Sequence, residues 1–252
     1  MTEITSISVL LTEIGKTPIP ARRQHLRRWF RGHARSDWKL VPGIYRLKES
    51  SNEEELLTTE RHLSQDFRIM SAGLRKGGED DVDLYFLQQH YRMPTRLLDW
   101  SADPLAALYF ATEHEPTADG KLFFMDSYML SVNQQAEETF EGVATSRNEE
   151  VRKAIQIITN WHKRKFPPYI IPIRPDHADQ RISRQRGYFT FHTPEARELT
   201  NDTNSTLRAY KIPAAAKVRI KKELELAGVN QFTVFGDLDH LAEWLKSVHC
   251  KQ

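Results

Sequence analysis

Apolar residues recur every three or four positions in several stretches of the chain, and this spacing predicts amphipathic helices. In the first stretch, Ile7, Leu10 and Ile14 share one helical face. Asp81 or Asp83 stands where a later helix needs an N-terminal cap. Helices are predicted over 7–14, 52–70, 81–91, 104–111, 148–162, 176–186, 214–226 and 241–248.

Short β-rich runs between these helices predict strands over 29–33, 95–101, 121–125, 169–173, 187–191, 207–212 and 232–235. Because prolines flank the run 169–173, it is expected to form an edge or isolated strand. The polar stretch 127–148 is predicted to loop over the surface. Strands and helices do not alternate regularly, so the expected fold class is α+β, with mixed, mostly antiparallel sheets and surrounding helices.

The chain has 252 residues, of which 39% are apolar and 28% are charged. These values are typical of a globular protein and exclude a collagen-like or low-complexity chain. The length fits one large domain with a small appendage. We therefore expect an N-terminal helix and basic lead-in over 1–28, followed by an α+β domain over 29–252.

The net charge does not favour a protein that binds nucleic acid mainly through a large positive excess. The 36 Lys and Arg residues oppose 34 Asp and Glu residues, which leaves +2, whereas binding by phosphate neutralisation usually needs more. A local cationic surface is still an alternative, because arginines cluster in two segments. The clusters are Arg22, Arg23, Arg27, Arg28, Arg31 and Arg35, and Arg181, Arg184 and Arg186.

Cys250 is the only cysteine, so neither an intramolecular disulfide nor a cysteine-based zinc site is expected. His25 and His33 lack a convincing third ligand, and no metal is expected. The N-terminal segment does not fit a signal peptide, and no stretch approaches the roughly 18 apolar residues of a membrane span. The predicted location is the cytoplasm, without membrane attachment.

Phe30-Arg31-Gly32-His33 is the first segment that indicates chemistry. An arginine at a strand end can hold a phosphate or carboxylate in two parallel hydrogen bonds, and a following glycine lets a ligand approach the backbone. The alternative is a turn glycine beside a surface salt bridge. We expect Arg31 to be an exposed ligand clamp.

The second segment, 87–111, places polar residues inside an apolar run. Burial of Arg96 and Asp99 without partners would be costly, so they face a ligand or form a structural pair. We expect Arg96 to be a structural partner of Asp99 or of backbone carbonyls. His90 is either a core histidine or a neutral donor to a ligand, and Asp103, before a proline, is expected to start a helix.

The third segment, 181–191, combines Gln185 with Gly187 and an aromatic strand that contains Phe189. Gln185 would supply an amide, and the aromatic strand would supply a stacking surface. The alternative is a helix that ends at Gly187 with Gln185 on the surface.

Together these segments resemble the FRG domain family, which is named for its Phe-Arg-Gly signature. The resemblance spans about 29–245, and its most specific part is Gln89-His90 followed by the run 94–100 and then 106–111. The later signature is matched by Arg181, Gln185, Gly187 and Phe189. The chain departs from the family at three positions, with Arg92 in place of glycine, His33 in place of glutamine and Ser101 in place of threonine.

The order of elements is also distantly similar to the ADP-ribosyltransferase fold, in which a strand ending in Arg-Gly precedes a polar strand and an alanine-rich helix. This resemblance implies NAD as substrate and a late Glu or Gln that completes the site. Gln185 or Glu195 would supply that group, because the chain has no Gln-x-Glu or Glu-x-Glu strand.

The resemblance implies a role for each candidate residue. Arg31 would clamp a phosphate or ribose, while His90 and Ser101 would hold ribose hydroxyls or the nicotinamide amide. Asp99 or Gln185 would stabilise the positive charge that develops on the ribose. The implied catalytic residues are Arg31, His90, Asp99 and Gln185, and the implied cofactor-binding residues are Gly32, Thr95, Arg96, Trp100, Ser101 and Phe189.

Three functional hypotheses follow. The first is an NAD-dependent ADP-ribosyltransferase-like enzyme, a toxin or phage-defence effector that modifies a nucleic acid or protein and is controlled by an antitoxin or other partner. The second is a non-catalytic module that binds a nucleotide or nucleic acid through Arg31 and Arg96. The third is a structural interaction domain whose signature residues form a buried polar network.

Overall fold

A computed structural model of the chain describes residues 1–17, 27–47, 52–75, 77–134, 142–159, 165–175, 187–201 and 205–250. The helices in these segments are α1 Ile7–Gly15, α2 Glu53–Met70, α3 Asp81–His90, α4 Pro104–Thr112, α5 Ser127–Asn133, α6 Glu149–Thr159, α7 Ala214–Leu226, α8 Gln231–Phe235 and α9 Leu238–His249. Two short 3₁₀ turns cover Gly43–Arg46 and Ala72–Leu74. None of the helices described has both the length and the apolar character that crossing a membrane requires.

The described strands form one seven-stranded sheet. They are β1 Arg28–His33, β2 Leu97–Ser101, β3 Gly120–Asp126, β4 Ala144–Thr145, β5 Ile171–Arg174, β6 Gly187–Phe191 and β7 Arg208–Ile212. Their order is β4-β5-β6-β2-β1-β3-β7, and all neighbours are antiparallel except β4 and β5. The predicted α+β class with a mixed, mostly antiparallel sheet is therefore confirmed.

The two faces of the sheet bury different clusters, because successive strand residues point to opposite sides. On one face, Phe30 and Phe124 pack with α1, α4 and α7, and Leu97 packs with α3 and α6. On the other face, Trp29 and Trp100 pack with residues of the loops and of α5. Burial of such a side chain stabilises the fold by roughly 2–3 kcal/mol, so both faces anchor β1 and β2.

The N-terminal segment is attached to the far edge of this sheet. The backbone N–H of Ile4 donates to the carbonyl of Lys211 at 2.8 Å, and the N–H of Lys211 donates to the carbonyl of Thr2 at 3.0 Å. Leu10 and Ile14 of α1 lie in the same apolar cluster as β1 and α7. The domain boundary at residue 28 stays a prediction.

Helix caps follow the sequence closely, with one correction. Asp103 accepts from the N–H of Leu105 at 2.8 Å and begins α4, as predicted. At α3 the cap is Asp80, not Asp81 or Asp83. The side chain of Asp80 accepts from the N–H of Asp83 at 3.0 Å, and the side chain of Asp83 accepts from the N–H of Asp80 at 3.2 Å. This reciprocal capping box satisfies two donors.

The stretch 127–148 is not simply a surface loop. It begins with α5, whose first turn is capped by Asp126 through the N–H of Tyr128 at 3.1 Å, and Leu130 of α5 is buried. It also contains β4. The polar composition and the absence of a long apolar stripe favoured a loop. The Asp126 cap and the burial of Leu130 stabilise a helix instead.

The predicted strand over 232–235 is wrong, since these residues form α8. Asn230 caps the helix by accepting from the N–H of Thr233 at 3.0 Å, and Gly236 ends it in the left-handed region at φ 73°. The capping box and the terminal glycine override the β propensity of the aromatic residues.

The strand over 169–173 exists as β5, but its predicted position at an edge is wrong, because it lies between β4 and β6. Only Ile173 and Arg174 pair with β4, so Pro172 stays outside that pairing. A proline is tolerated where no partner strand needs its missing N–H. The helix predicted over 176–186 lies outside the described residues.

Candidate functional site

The neighbouring strands β1 and β2 meet at one position. β1 pairs with β3 along all of Arg28–His33, but with β2 it pairs only where Phe30 stands opposite Ser101. Beyond that pair the two strands separate toward Arg31. The gap is filled by side chains rather than by a hydrogen-bond ladder, and Arg31 is the first of them.

The guanidinium of Arg31 bridges the two strands. Its Nη1 donates to the backbone carbonyl of Asp99 at 2.6 Å, and its Nε donates to Nε2 of His33 at 2.9 Å. The Asp99 carboxylate lies 3.7 Å from Nη1, and the Arg31 side chain is only 19% exposed. The prediction of an exposed cleft arginine is therefore corrected, because most of the side chain is buried between the strands.

Burial lowers the pKa of Arg31, while the Asp99 charge opposes this and the Arg46 charge adds to it. An arginine starts from so high a pKa that it stays a cation. The site thus holds a permanent positive charge at the point where β1 and β2 diverge, with one carboxylate beside it.

His33 holds Arg31 as a neutral acceptor. Its Nδ1 lies 3.3 Å from the carbonyl of Trp38 and therefore carries the proton, which leaves Nε2 free to accept from Arg31. Burial, followed by the Arg31 charge, lowers the pKa of His33 to about 3. The histidine consequently remains uncharged at neutral pH and keeps its acceptor role.

Asp99 presents the exposed anion of the site. Its side chain is 55% exposed, and Oδ2 accepts from Nε2 of Gln89 at 2.8 Å. Oε1 of Gln89 in turn accepts from the hydroxyl of Thr95 at 2.5 Å, and that hydroxyl accepts from the N–H of Leu97 at 3.1 Å. This chain of hydrogen bonds runs from α3 to β2 and fixes the orientation of the carboxylate.

Gly32 serves the packing of α4 rather than the approach of a ligand. A Cβ at this position would lie 2.8 Å from the backbone nitrogen of Ala111 and closer still to the carbonyl oxygen of Ala107. The backbone of α4 therefore occupies the space that the prediction left for a ligand. The glycine lets the backbone of α4 lie directly on β1 at the residue next to Arg31.

Arg96 is a core residue whose partners differ from the predicted ones. It does not pair with Asp99: its Nε donates to Glu60 at 2.8 Å and its Nη2 donates to Glu53 at 2.6 Å. Its Nη1 bonds the hydroxyl of Tyr45, and its side chain is 0% exposed. The structure therefore gives Arg96 no surface for a ligand, although the predicted structural role fits its position.

Three other candidate residues are also held in the interior. The indole N–H of Trp100 donates to the hydroxyl of Thr190 at 3.0 Å, and Ser101 Oγ accepts from the N–H of Asp103 at 2.9 Å. Phe189 stands opposite Asp99 on β6 and packs edge-on against Phe86 at a ring-centroid distance of 5.2 Å, facing α3. These contacts hold β2 and β6 in place beside the site.

The remaining candidates are not joined to Arg31 by the contacts described. His90 lies in the last turn of α3 beside Gln89, with its ring packed edge-on against Tyr91 at 4.9 Å. Gln185 lies outside the described residues. Glu195 lies between β6 and β7, in the turn closed by the bridge between Thr193 and Ala196. Among the described residues, no cluster of three or more His, Cys, Asp or Glu side chains could hold a metal ion.

Sequence reasoning missed two residues of this arrangement, Gln89 as the amide that positions Asp99 and Glu60 as the main partner of Arg96. A signal for Glu60 existed. It stands four residues after Leu56 and four before Ser64, and all three are buried on one face of α2. A carboxylate on the buried stripe of a helix requires a buried cation.

The contacts of Arg31 and Gly32 give structural reasons for the Phe-Arg-Gly sequence, and comparison with known families agrees with that signature. The family model for the FRG domain matches residues 27–120. This segment, called the FRG segment below, is similar to the FRG domain family. Neither the curated proteins nor the solved structures that were compared with the chain gave a match.

The FRG match contains β1, β2 and α4, and it ends at the start of β3. Arg31, Gln89 and Asp99 all belong to it, so the hydrogen-bonded part of the site lies within the FRG segment. Phe189 and Gln185 lie beyond the match, and the resemblance predicted for them stays a prediction. The FRG segment thus supplies the permanent cation and the exposed carboxylate.

Proposed function

We propose that the protein is an ADP-ribosyltransferase-like enzyme that uses NAD as substrate at the site formed by Arg31 and Asp99. The observation that carries the proposal is the placement of a fixed guanidinium 3.7 Å from an exposed, oriented carboxylate. A guanidinium suits the diphosphate of NAD, and a carboxylate stabilises the positive charge that develops on the ribose.

In the proposed reaction, the bond between C1′ of the ribose and the nicotinamide nitrogen breaks, and nicotinamide leaves with the electron pair. The nucleophilic atom of the acceptor bonds to C1′, and its proton passes to Asp99 or to water. The protein would hold the two reactants in the productive geometry and stabilise the cationic centre.

The element order supports the same proposal. A strand with Arg31-Gly32 lies beside a strand with Thr95 at its entry and Ser101 at its end, and α4 follows with its alanine-rich run. We propose an ADP-ribosyltransferase-like fold on this basis. A role as a cytoplasmic toxin or defence effector, with a nucleic acid or protein as acceptor and an antitoxin or other regulatory partner, belongs to the same proposal.

The decisive experiment is nicotinamide release from labelled NAD by the purified full chain, with protein, DNA or RNA present as acceptor. We expect release by the natural protein and at least a tenfold loss in both Arg31→Lys and Asp99→Asn. Arg31→Lys keeps the charge but removes the planar fork that holds both Asp99 and His33.

Arg219→Lys is the matched control, because Arg219 is exposed and bonds Glu223 on α7. It should leave nicotinamide release unchanged. Absence of release under every acceptor condition would overturn the enzyme proposal. In that case, stabilisation by an oligonucleotide but not by NAD, with a steep salt dependence, would assign the site to a non-catalytic binding module.

A further inference from the structure

Trp38 presents an exposed aromatic surface beside the Arg31 site. It is 45% exposed, while its ring packs edge-on against His33 at a centroid distance of 6.0 Å. The same histidine accepts from Arg31 at 2.9 Å. One imidazole therefore lies between the exposed indole and the guanidinium, and it fixes their separation.

The turn that carries Trp38 is held in place by the backbone. The N–H of Ser36 donates to the carbonyl of Asp119 at 2.7 Å, and the carbonyl of Trp38 lies 3.3 Å from Nδ1 of His33. Arg35 and Asp37 pair within the turn. A large aromatic ring that is exposed on an ordered turn loses little conformational entropy when it binds a planar ligand.

The charges of two further cations, Lys121 and Arg46, act on the same imidazole. Lys121 stands opposite His33 in the register of β1 and β3, so both side chains project from one face of the sheet. The Arg46 charge lowers the pKa of both Arg31 and His33.

The turn that carries Arg46 is also anchored next to the site. The N–H of Ile44 donates to the carbonyl of Thr95, at the entry to β2, at 3.2 Å. Within the part of the chain that the structure describes, neither Arg46 nor Lys121 forms an ion pair with a carboxylate. Arg31 and Lys121 thus project from one face of the sheet, the Arg46 charge acts on the same site, and Asp99 is the carboxylate next to Arg31.

We propose that Trp38 stacks on a base of the nucleotide substrate while Arg31, Arg46 and Lys121 bind its phosphates. An exposed indole beside several cations, two of which have no carboxylate partner among the described residues, suits a ligand that has both a flat π surface and several negative charges. The assignment rests on the proposed NAD site and adds the residues that recognise the nucleotide.

The test measures affinities of the full chain for adenosine monophosphate, nicotinamide mononucleotide and ribose 5-phosphate by calorimetry. Trp38→Ala should weaken binding of one or both mononucleotides about tenfold, and it should leave ribose 5-phosphate unchanged. Trp38→Phe should restore most of the loss. The mononucleotide that responds identifies which end of NAD contacts the indole.

Arg46→Ala and Lys121→Ala should weaken all three ligands by several-fold and reduce the salt dependence of binding. Lys39→Ala is the matched control, because Lys39 neighbours Trp38 but already pairs with Glu198 at 3.2 Å. It should change none of the affinities.

Unchanged mononucleotide affinity in Trp38→Ala would overturn the assignment, and so would an equal loss for ribose 5-phosphate. Failure of the proposed enzyme activity gives a different pattern. Nucleotides would then bind in a manner that depends on Trp38 while no nicotinamide is released, and the recognition surface would stand. Nicotinamide release with an unaltered KM for NAD in Trp38→Ala would overturn the recognition surface alone.

Discussion

Arg96 and Glu60 form an ion pair inside the protein, with Nε 2.8 Å from Oε2 and the two side chains 0% and 1% exposed. Tyr85 joins them, since its hydroxyl donates to Oε1 of Glu60 at 2.5 Å and accepts from the N–H of Arg96 at 2.8 Å. The pair connects α2 to the entry of β2. It therefore sets where the strand that carries Asp99 begins.

Glu60→Ala should lower the free energy of unfolding by about 3–5 kcal/mol, because it leaves the Arg96 charge buried with fewer partners. Urea unfolding measures this. Arg96→Met combined with Glu60→Leu should lose less than the sum of the two single variants. Glu243→Ala, at an exposed pair with Lys246, should leave the free energy of unfolding nearly unchanged. Equal effects at the buried and exposed pairs would contradict the structural role.

Gly32→Ala should destabilise the protein by about 1–3 kcal/mol or more, because the new methyl group would collide with the backbone of α4. A backbone cannot rotate away as a flexible side chain can. Gly15→Ala is the control, since no atom lies within 4 Å of the corresponding Cβ. Thermal unfolding of both variants checks the prediction, and a normal melting temperature for Gly32→Ala would show that α4 does not rest on β1.

Acid should unfold the protein through two buried histidines. Burial lowers the pKa of both His33 and His192 to about 3, and in His33 the Arg31 charge contributes. An unfolded histidine binds a proton below about pH 6.5, so stability should fall as the pH drops from about 6.5 toward 3. The loss at pH 5 is about 2 kcal/mol for each histidine.

Unfolding curves between pH 7 and 5 test this, with His192→Gln and His33→Gln each expected to flatten the decline. His249→Gln, at an exposed position near the C-terminal end of α9, should leave it unchanged. A decline that is equally steep in all four proteins would assign acid sensitivity to other groups.

Lys217 should stabilise the folded protein far more than a surface lysine does. It is buried, and its Nζ donates to the carbonyls of Ala34, His114 and Glu115 at 2.7, 3.1 and 2.8 Å. Lys217→Met would leave three carbonyls without this donor, so we expect a loss of at least about 2 kcal/mol. The control is Lys221→Met on the same helix, where the lysine is half exposed. Similar melting temperatures for the two variants would contradict this.

Local signals predicted the elements that carry the site. Asp103 before Pro104 begins α4 because a carboxylate cap and a proline both suit a helix N-terminus. The strand that contains Arg31 was predicted because aromatic residues precede a glycine. These interactions depend on neighbours in sequence, and tertiary contacts did not override them.

Contacts between residues far apart in the chain could not be predicted from the sequence. Arg96 meets Glu60 across 36 residues, and Arg31 meets the carbonyl of Asp99 across 68. The first contact depends on where α2 packs against the entry of β2, and the second depends on β1 and β2 being neighbours. The spacing of residues determines neither. Because Asp99 lies close to Arg96 in sequence, it was the nearest predicted partner, yet the two project from β2 and its entry toward different neighbours.

The FRG match and the sheet to which its strands belong have different limits. Residues 27–120 contain β1 and β2 and only the first residue of β3, while β6 covers the free edge of β2 and β7 covers that of β3. An excised fragment with those limits would expose open strand edges, which pair readily with other chains. The FRG segment therefore depends on β6 and β7, which lie outside it, to cover its strand edges.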